Sequence, residues 1–192
     1  MARTSEDIVD EWLVLRCRSG DVEAMGRLVK RWEGRVLRHA WRMTRDADGA
    51  MDVAQESWMS IARGIGAIED PRAFRAWALG IVTRRSADWI RGRVRHRRAT
   101  QRLRDLTQDN PMTTPHPTNQ PELHEEAQAV HLAMETLTHD HAVVLGLRYA
   151  DGLGVAEIAV ALDIPIGTVK SRLFHAREAL KQAIETHAKE SA

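Results

Sequence analysis

Six residues near the C-terminal end carry the side chains needed to read nucleic-acid bases without making or breaking a covalent bond. Thr168, Lys170, Ser171, Arg172, His175 and Arg177 fall within a short helical run. A hydroxyl both donates and accepts, an ammonium donates, and a guanidinium presents a planar fork that matches O6 and N7 of guanine. On a helix Thr168, Ser171, Arg172 and His175 share one face, with Lys170 and Arg177 beside it. Their chemistry is hydrogen-bonded recognition of base edges in a major groove.

A second set suits phosphates. Arg84, Arg91, Arg95 and Arg98 are spaced seven, four and three, and Arg102 follows four later, so one continuous helix aligns them. Between Pro71 and Arg104 the only acid is Asp88, while Arg85, Arg93, Arg97 and Arg104 add further charge. An unpaired basic stripe repels itself, and a polyanion relieves that repulsion. Trp77 and Trp89 lie in this stretch but share a face with Phe74 and Ile81, which assigns them to the core. A third set, Asp52, Gln55, Glu56 and Met59, lies on the outer side of a helix whose inner side is Val53, Ala54, Trp58 and Ile61. A polar face with a methionine in it suits a protein partner.

Covalent catalysis has no comparable set. His124, His131, His139 and His141 are joined by no carboxylate cluster or cysteine pair, and Cys17 is alone. The expectation is no catalytic residues, no metal, no cofactor and no enzyme activity.

The elements that must position these residues are helices nearly throughout. The chain has 192 residues, 43% apolar and 29% charged, with a net charge of +1, so charge distribution matters more than its sum. Apolar residues recur at spacings of three and four. Thr4 or Ser5 is placed to cap a first helix. Asp21 is placed to cap a second, from about Val22 to Met43. A third is expected from about Gly49 to Ile65, and a fourth from Pro71 to about Arg98. The stretch TQDNPMTTPHPTNQP, Thr107 to Pro121, reads as a linker. All six tryptophans precede it, so the two halves are expected to have different cores. The fold class is all-α: two helical domains, 1–104 and 122–192, joined by an extended proline-containing linker, 105–121. The N-terminus is acidic, which argues against a secretory signal, and no apolar run approaches the roughly 20 residues of a membrane span. A cytoplasmic protein with no membrane partner is expected.

Within the second half, VAEIAVALDIPIGTVKSRL has the apolar skeleton of a helix-turn-helix: Ile158, Ala159, Leu162, Ile164, Val169 and Leu173. Asp163 stands at the turn, where left-handed backbone is common and Asp tolerates it. Val169, Leu173, Ala176, Leu180 and Ile184 form the buried stripe of the second helix. Glu122, Glu125, Glu126, Glu135, Asp140, Asp151 and Glu157 precede the turn, whereas Lys170, Arg172, Arg177 and Lys181 follow it. That segregation favours a DNA-facing second helix.

These motifs together resemble the extracytoplasmic-function (group IV) sigma factors of the sigma-70 superfamily. MDVAQESW resembles the region 2 segment that faces the polymerase clamp. WALGIVTRRSADWIRGRVRHRR resembles the segment that binds the −10 element. LRYADGLGVAEIAVALDIPIGTVKSRLFHAREALKQAI resembles region 4, which reads the −35 element. The resemblance implies a transcription initiation factor that binds core RNA polymerase, at its clamp and flap, and promoter DNA, and that assists strand opening. It implies Asp52 and Gln55 on the clamp, and a base captured by the loop from Ile65 to Pro71. It leaves open an anti-sigma factor as a further partner. Arg84 stands where the family often has Asn, and Leu137-Thr138 and Ala142 replace the usual opening of region 4. The alternative is a helix-turn-helix activator that is not a polymerase subunit. The Arg stripe and the Asp52/Gln55 face count against it.

Overall fold

The computed structural model describes residues 4–107, 133–134 and 136–190. Helix α1 spans Ser5–Arg18 and starts where Thr4 and Asp7 cap each other reciprocally, with Asp7 N donating to Thr4 Oγ1 at 3.2 Å and Thr4 N donating to Asp7 Oδ2 at 2.9 Å. Helix α2 spans Val22–Thr44, capped as expected by Asp21, which accepts from Ala24 N at 3.0 Å. Helix α3 spans Ala47–Gly64. It begins earlier than its apolar pattern because Asp46 caps it, accepting from Gly49 N at 2.8 Å.

Pro71–Ala73 is a 3₁₀ turn capped by Asp70, and helix α4 follows as Phe74–Thr107. The sequence reading ended this helix near Arg98. No proline or glycine occurs between Ala99 and Thr107, so nothing stops the helix there, and it enters the expected linker. The rest of that linker, with both outer domain boundaries, lies outside the described residues. The second half holds α5 (His139–Leu145), a π-helical turn (Gly146–Ala150), α6 (Val155–Leu162) and α7 (Ile166–Glu190). No strand occurs among the described residues.

The first half packs α1, α2, α3 and the start of α4 around Leu13, Leu28, Trp32, Ile61, Phe74 and Leu79. Trp32 and Phe74 meet edge to face, 5.1 Å between centroids. Trp58 and Trp89 pack on a smaller cluster of Val36, Ala40, Ala50, Val53 and Val82. Trp77 also belongs to the core, as expected. Trp12 does not. It is exposed between the guanidinium groups of Arg16 and Arg27, each 5.4 Å from its ring.

The expectation of separate cores is corrected by the structure. Leu13, Leu28 and Leu79 of the first half belong to one continuous apolar cluster with Leu147, Ile158, Val169 and Ala176 of the second. At one point of the junction, small residues bring two helices to backbone contact. A Cβ on Gly80 of α4 would lie 2.5 Å from the Ala161 carbonyl oxygen of α6, so only glycine permits that approach.

Candidate nucleic-acid interface

The helix-turn-helix forms because its turn has both a permissive residue and partners for its backbone. Asp163 adopts φ 54° and ψ 48°, the left-handed conformation expected of it. Ile164 N donates to Ala159 O at 3.1 Å, and Val169 N donates to Pro165 O at 3.2 Å, which starts α7 directly after the proline. At the other end of α6, Gly154 N donates to Glu157 Oε2 at 2.6 Å.

Val169, Leu173 and Ala176 are buried, and Leu180 and Ile184 are half-buried, as the pattern required. Lys170, Ser171 and His175 are exposed and Thr168 is half-buried. Arg172 Nη2 pairs with Asp140 Oδ2 of α5 at 3.0 Å, so the guanidinium must exchange that partner to reach a base. Arg177 is exposed but borders an apolar groove with Leu180, Lys181 and Ile184. It therefore stands apart from the Thr168–Ser171–His175 face. Phe174, passed over in the sequence as one more apolar residue, is 54% exposed. Its ring lies 5.4 Å from that of His175, where it could meet a thymine methyl.

On α4, Arg91, Arg95 and Arg98 are all exposed, as one continuous helix dictates. Arg91 pairs with Asp88. Arg95 and Arg98 make no ion pair with a described residue. Arg93 is diverted: it pairs with Asp46 and lies 5.0 Å over the Trp89 ring. Arg85 turns toward α3, donating to Ser60 Oγ at 3.0 Å and lying 3.8 Å from Glu56 Oε2. Arg84 is held differently again, donating to the Ala161 carbonyl at 3.3 Å across the junction of the two halves.

Asp52, Gln55, Glu56 and Met59 are exposed together on the outer side of α3. Met51, also exposed and four residues before Gln55, extends that face. The sequence reading passed over it, although the spacing of four was available. In the loop after α3, Ile65 and Ile68 are anchored in the core, leaving Gly66, Ala67, Glu69 and Asp70 exposed.

The polar group that sequence reasoning missed is buried. Asp151, counted above among the acids that precede the turn, is enclosed between the halves and bonded to His39 and Arg42 of α2. Burial pushes its carboxyl up, but the hydrogen bond and charge of His39, joined by Arg42, more than offset this and hold it below the usual carboxylate range. The one signal available was His39 itself, spaced three and four from Val36 and Met43 on the inward side of α2.

Comparison with known proteins finds a family model on each half of the chain. The family model for sigma-70 region 2 matches residues 28–96, and that for sigma-70 region 4 matches residues 127–180. The chain is 30% identical over 181 residues to the RNA polymerase sigma-H factor of Pseudomonas aeruginosa, covering 92% of this chain and 94% of that one. It is 30% identical over 187 residues to the ECF RNA polymerase sigma-E factor of Salmonella typhimurium, covering 94% and 97%. Two solved structures share the fold. CnrH in complex with the cytosolic domain of CnrY matches with a TM-score of 0.66 at 20% identity, covering 93% of this chain and 98% of that one. The sigma factor RpoE with the anti-sigma factor NepR, from Bartonella quintana, matches with a TM-score of 0.65 at 21% identity, covering 85% and 98%.

Proposed function

Since the chain belongs to the extracytoplasmic-function sigma factors of the sigma-70 family, the initiation factors that direct RNA polymerase to promoters, we propose how its residues divide that work. The observation that carries the reading is the pairing of two exposed basic helices in one chain, α4 in the first half and α7 in the second. Arg91, Arg95 and Arg98 hold phosphates at the −10 element, and Arg84 joins them once freed from Ala161. Thr168, Lys170, Ser171, Arg172 and His175 read base edges at the −35 element, and Phe174 contacts a thymine methyl there. Arg177, on a neighbouring surface, holds the flanking backbone.

Asp52, Gln55, Glu56 and Met59, extended by Met51, form the face toward the polymerase clamp. Region 4 takes the flap. The chain acts by binding and strand opening rather than as an enzyme. Extracting a base from the duplex costs a few kcal/mol, and the exposed tip of the loop after α3 supplies contacts to the opened strand. The protein works where the polymerase is, in the cytoplasm, and no described helix is long and apolar enough to cross a membrane. An anti-sigma factor is a further proposed partner, since one of the structural neighbours was solved with one.

The test is transcription in vitro. Core polymerase with this chain initiates at a selected promoter, and the chain alone does not shift the same duplex. Asp52→Ala with Gln55→Ala weakens capture of core polymerase while circular dichroism stays unchanged. Unchanged capture would remove the clamp assignment, and a duplex shift by the chain alone would favour an activator instead.

A further inference from the structure

One base-reading residue has an anion beside it. Arg172 Nη2 lies 3.0 Å from Asp140 Oδ2, an ion pair between α7 and the first turn of α5. Lys170 and His175, on the same face, have no carboxylate partner among the described residues. The pair is open to solvent, with the two side chains 35% and 58% exposed. It borders a hollow of about 530 Å³ with Thr138, His139 and His141.

An acid in that place calls for a reason. A carboxylate beside a duplex is repelled by the phosphates. As a tie between α5 and α7 the pair adds little, because ion pairs this exposed contribute weakly to stability. The two helices are already joined through Val143, Val144, Val169, Leu173 and Ala176 in one core.

The exchange that brings Arg172 to a base also decides what Asp140 needs. When the guanidinium leaves for guanine O6 and N7, the carboxylate loses its partner. A carboxylate left unpaired in a desolvated groove is costly. In the major groove a G·C pair shows N7 and O6 as adjacent acceptors and then the N4 amino donor of cytosine. O6 and N4 are hydrogen-bonded to each other and so lie about 2.9 Å apart. Arg172 Nη2 and Asp140 Oδ2, a donor and an acceptor at 3.0 Å, repeat that spacing with opposite polarity. An A·T pair places its donor between two acceptors, which does not fit the guanidinium fork.

We propose that Arg172 and Asp140 read one G·C pair of the −35 element as a unit, Arg172 donating to guanine and Asp140 accepting from the cytosine N4–H. The inference rests on the reading of α7 as the base-contacting helix and deepens it. Asp140 is then a specificity-determining residue that lies outside the helix-turn-helix. Facing thymine O4 or guanine O6 instead, its carboxylate meets an acceptor and is repelled.

The experiment uses holoenzyme assembled from core polymerase and the full chain. A −35 library transcribed in vitro locates the pair at which Arg172→Ala loses its preference for guanine, an expected loss of about 5- to 150-fold. Asp140→Ala is expected to lose preference at that pair and no other, by about 2- to 12-fold, the size of one hydrogen bond. Asp140→Asn keeps an acceptor oxygen and is expected to recover part of it. A duplex with N4-methylcytosine at that pair then isolates the atom, since the methyl replaces the groove-side N–H while base pairing persists. Wild-type holoenzyme is expected to bind it about 2- to 12-fold more weakly than the plain duplex, and Asp140→Ala holoenzyme to bind both equally. Equal wild-type binding to the two duplexes overturns the unit, whether or not the variants fold. So does equal weakening of wild type and Asp140→Ala by the methyl, or an Asp140→Ala preference unchanged at that pair. If Arg172→Ala changes preference nowhere, the reading of α7 itself falls and the role of Asp140 with it.

Discussion

Replacing Arg91, Arg95 and Arg98 together by Gln removes three cations from the exposed face of α4 without touching its core. Each duplex phosphate contact contributes about 0.9 to the slope of log affinity against log salt, so three lost contacts flatten it by about 2.7. Between 50 and 200 mM salt the wild-type holoenzyme then loses about 40-fold more affinity than the variant. Arg91 already has Asp88 as a partner and must trade one anion for another. If it contributes nothing, the slope falls by about 1.8 and the factor drops to about 12. Fluorescence anisotropy of holoenzyme on a promoter fragment and on an unrelated duplex, across that salt range, measures both. The weakening is expected on both duplexes. An unchanged slope with a shifted sequence preference would refute the phosphate assignment.

Arg172→Ala is expected to relax preference at one or two positions near −35, at a cost of about 1–3 kcal/mol for a bidentate base contact, while −10 preference is retained. A promoter library transcribed in vitro reads this, and an equal loss at every position would make Arg172 a backbone contact. Val169→Asp places a carboxylate at a site with no exposure. Keeping it neutral there at pH 7 requires a shift of about three pKa units, or about 4 kcal/mol. Thermal denaturation should show the second half unfolded, and a cooperative melt near wild type would contradict the buried stripe. Because Asp151 is held below the usual carboxylate range in the folded chain, its contribution is present above the ordinary Asp value of about 3.9 and is lost as pH falls through the depressed one. The melting temperature of the wild type is therefore expected to fall as acid takes the solution through that range. Asp151→Asn removes this dependence.

Much of the candidate interface was legible because it depends on local spacing. The turn at Asp163, the cap at Asp21, the buried stripe from Val169 to Ala176 and the exposed Arg stripe each follow from residues within one or two helical turns. Asp46 escaped because a cap lies outside the apolar pattern it starts. The junction escaped for a different reason. His39 and Asp151 are 112 positions apart, and no periodicity links them. Asp151 reads as one more surface acid until α2 is placed beside it. Gly80 and Ala161 carry no strong apolar signal, yet their smallness is what lets α4 and α6 approach to backbone contact.

The composition of α6 explains how one helix can pack both within its own half and across the junction. VAEIAVAL has Glu157 as its only charged residue, and a helix apolar on most sides is covered on more than one. Ile158 is fully buried in the core, while Ala161 meets α4. Val160, between those faces, is 60% exposed. Exposing a side chain the size of Ile158 costs about 1.5–3 kcal/mol, against about 0.8 kcal/mol for each methylene-sized group. Burial of Ile158 in the continuous core therefore contributes more than the Ala161 contact, which instead brings α4 and α6 to backbone approach.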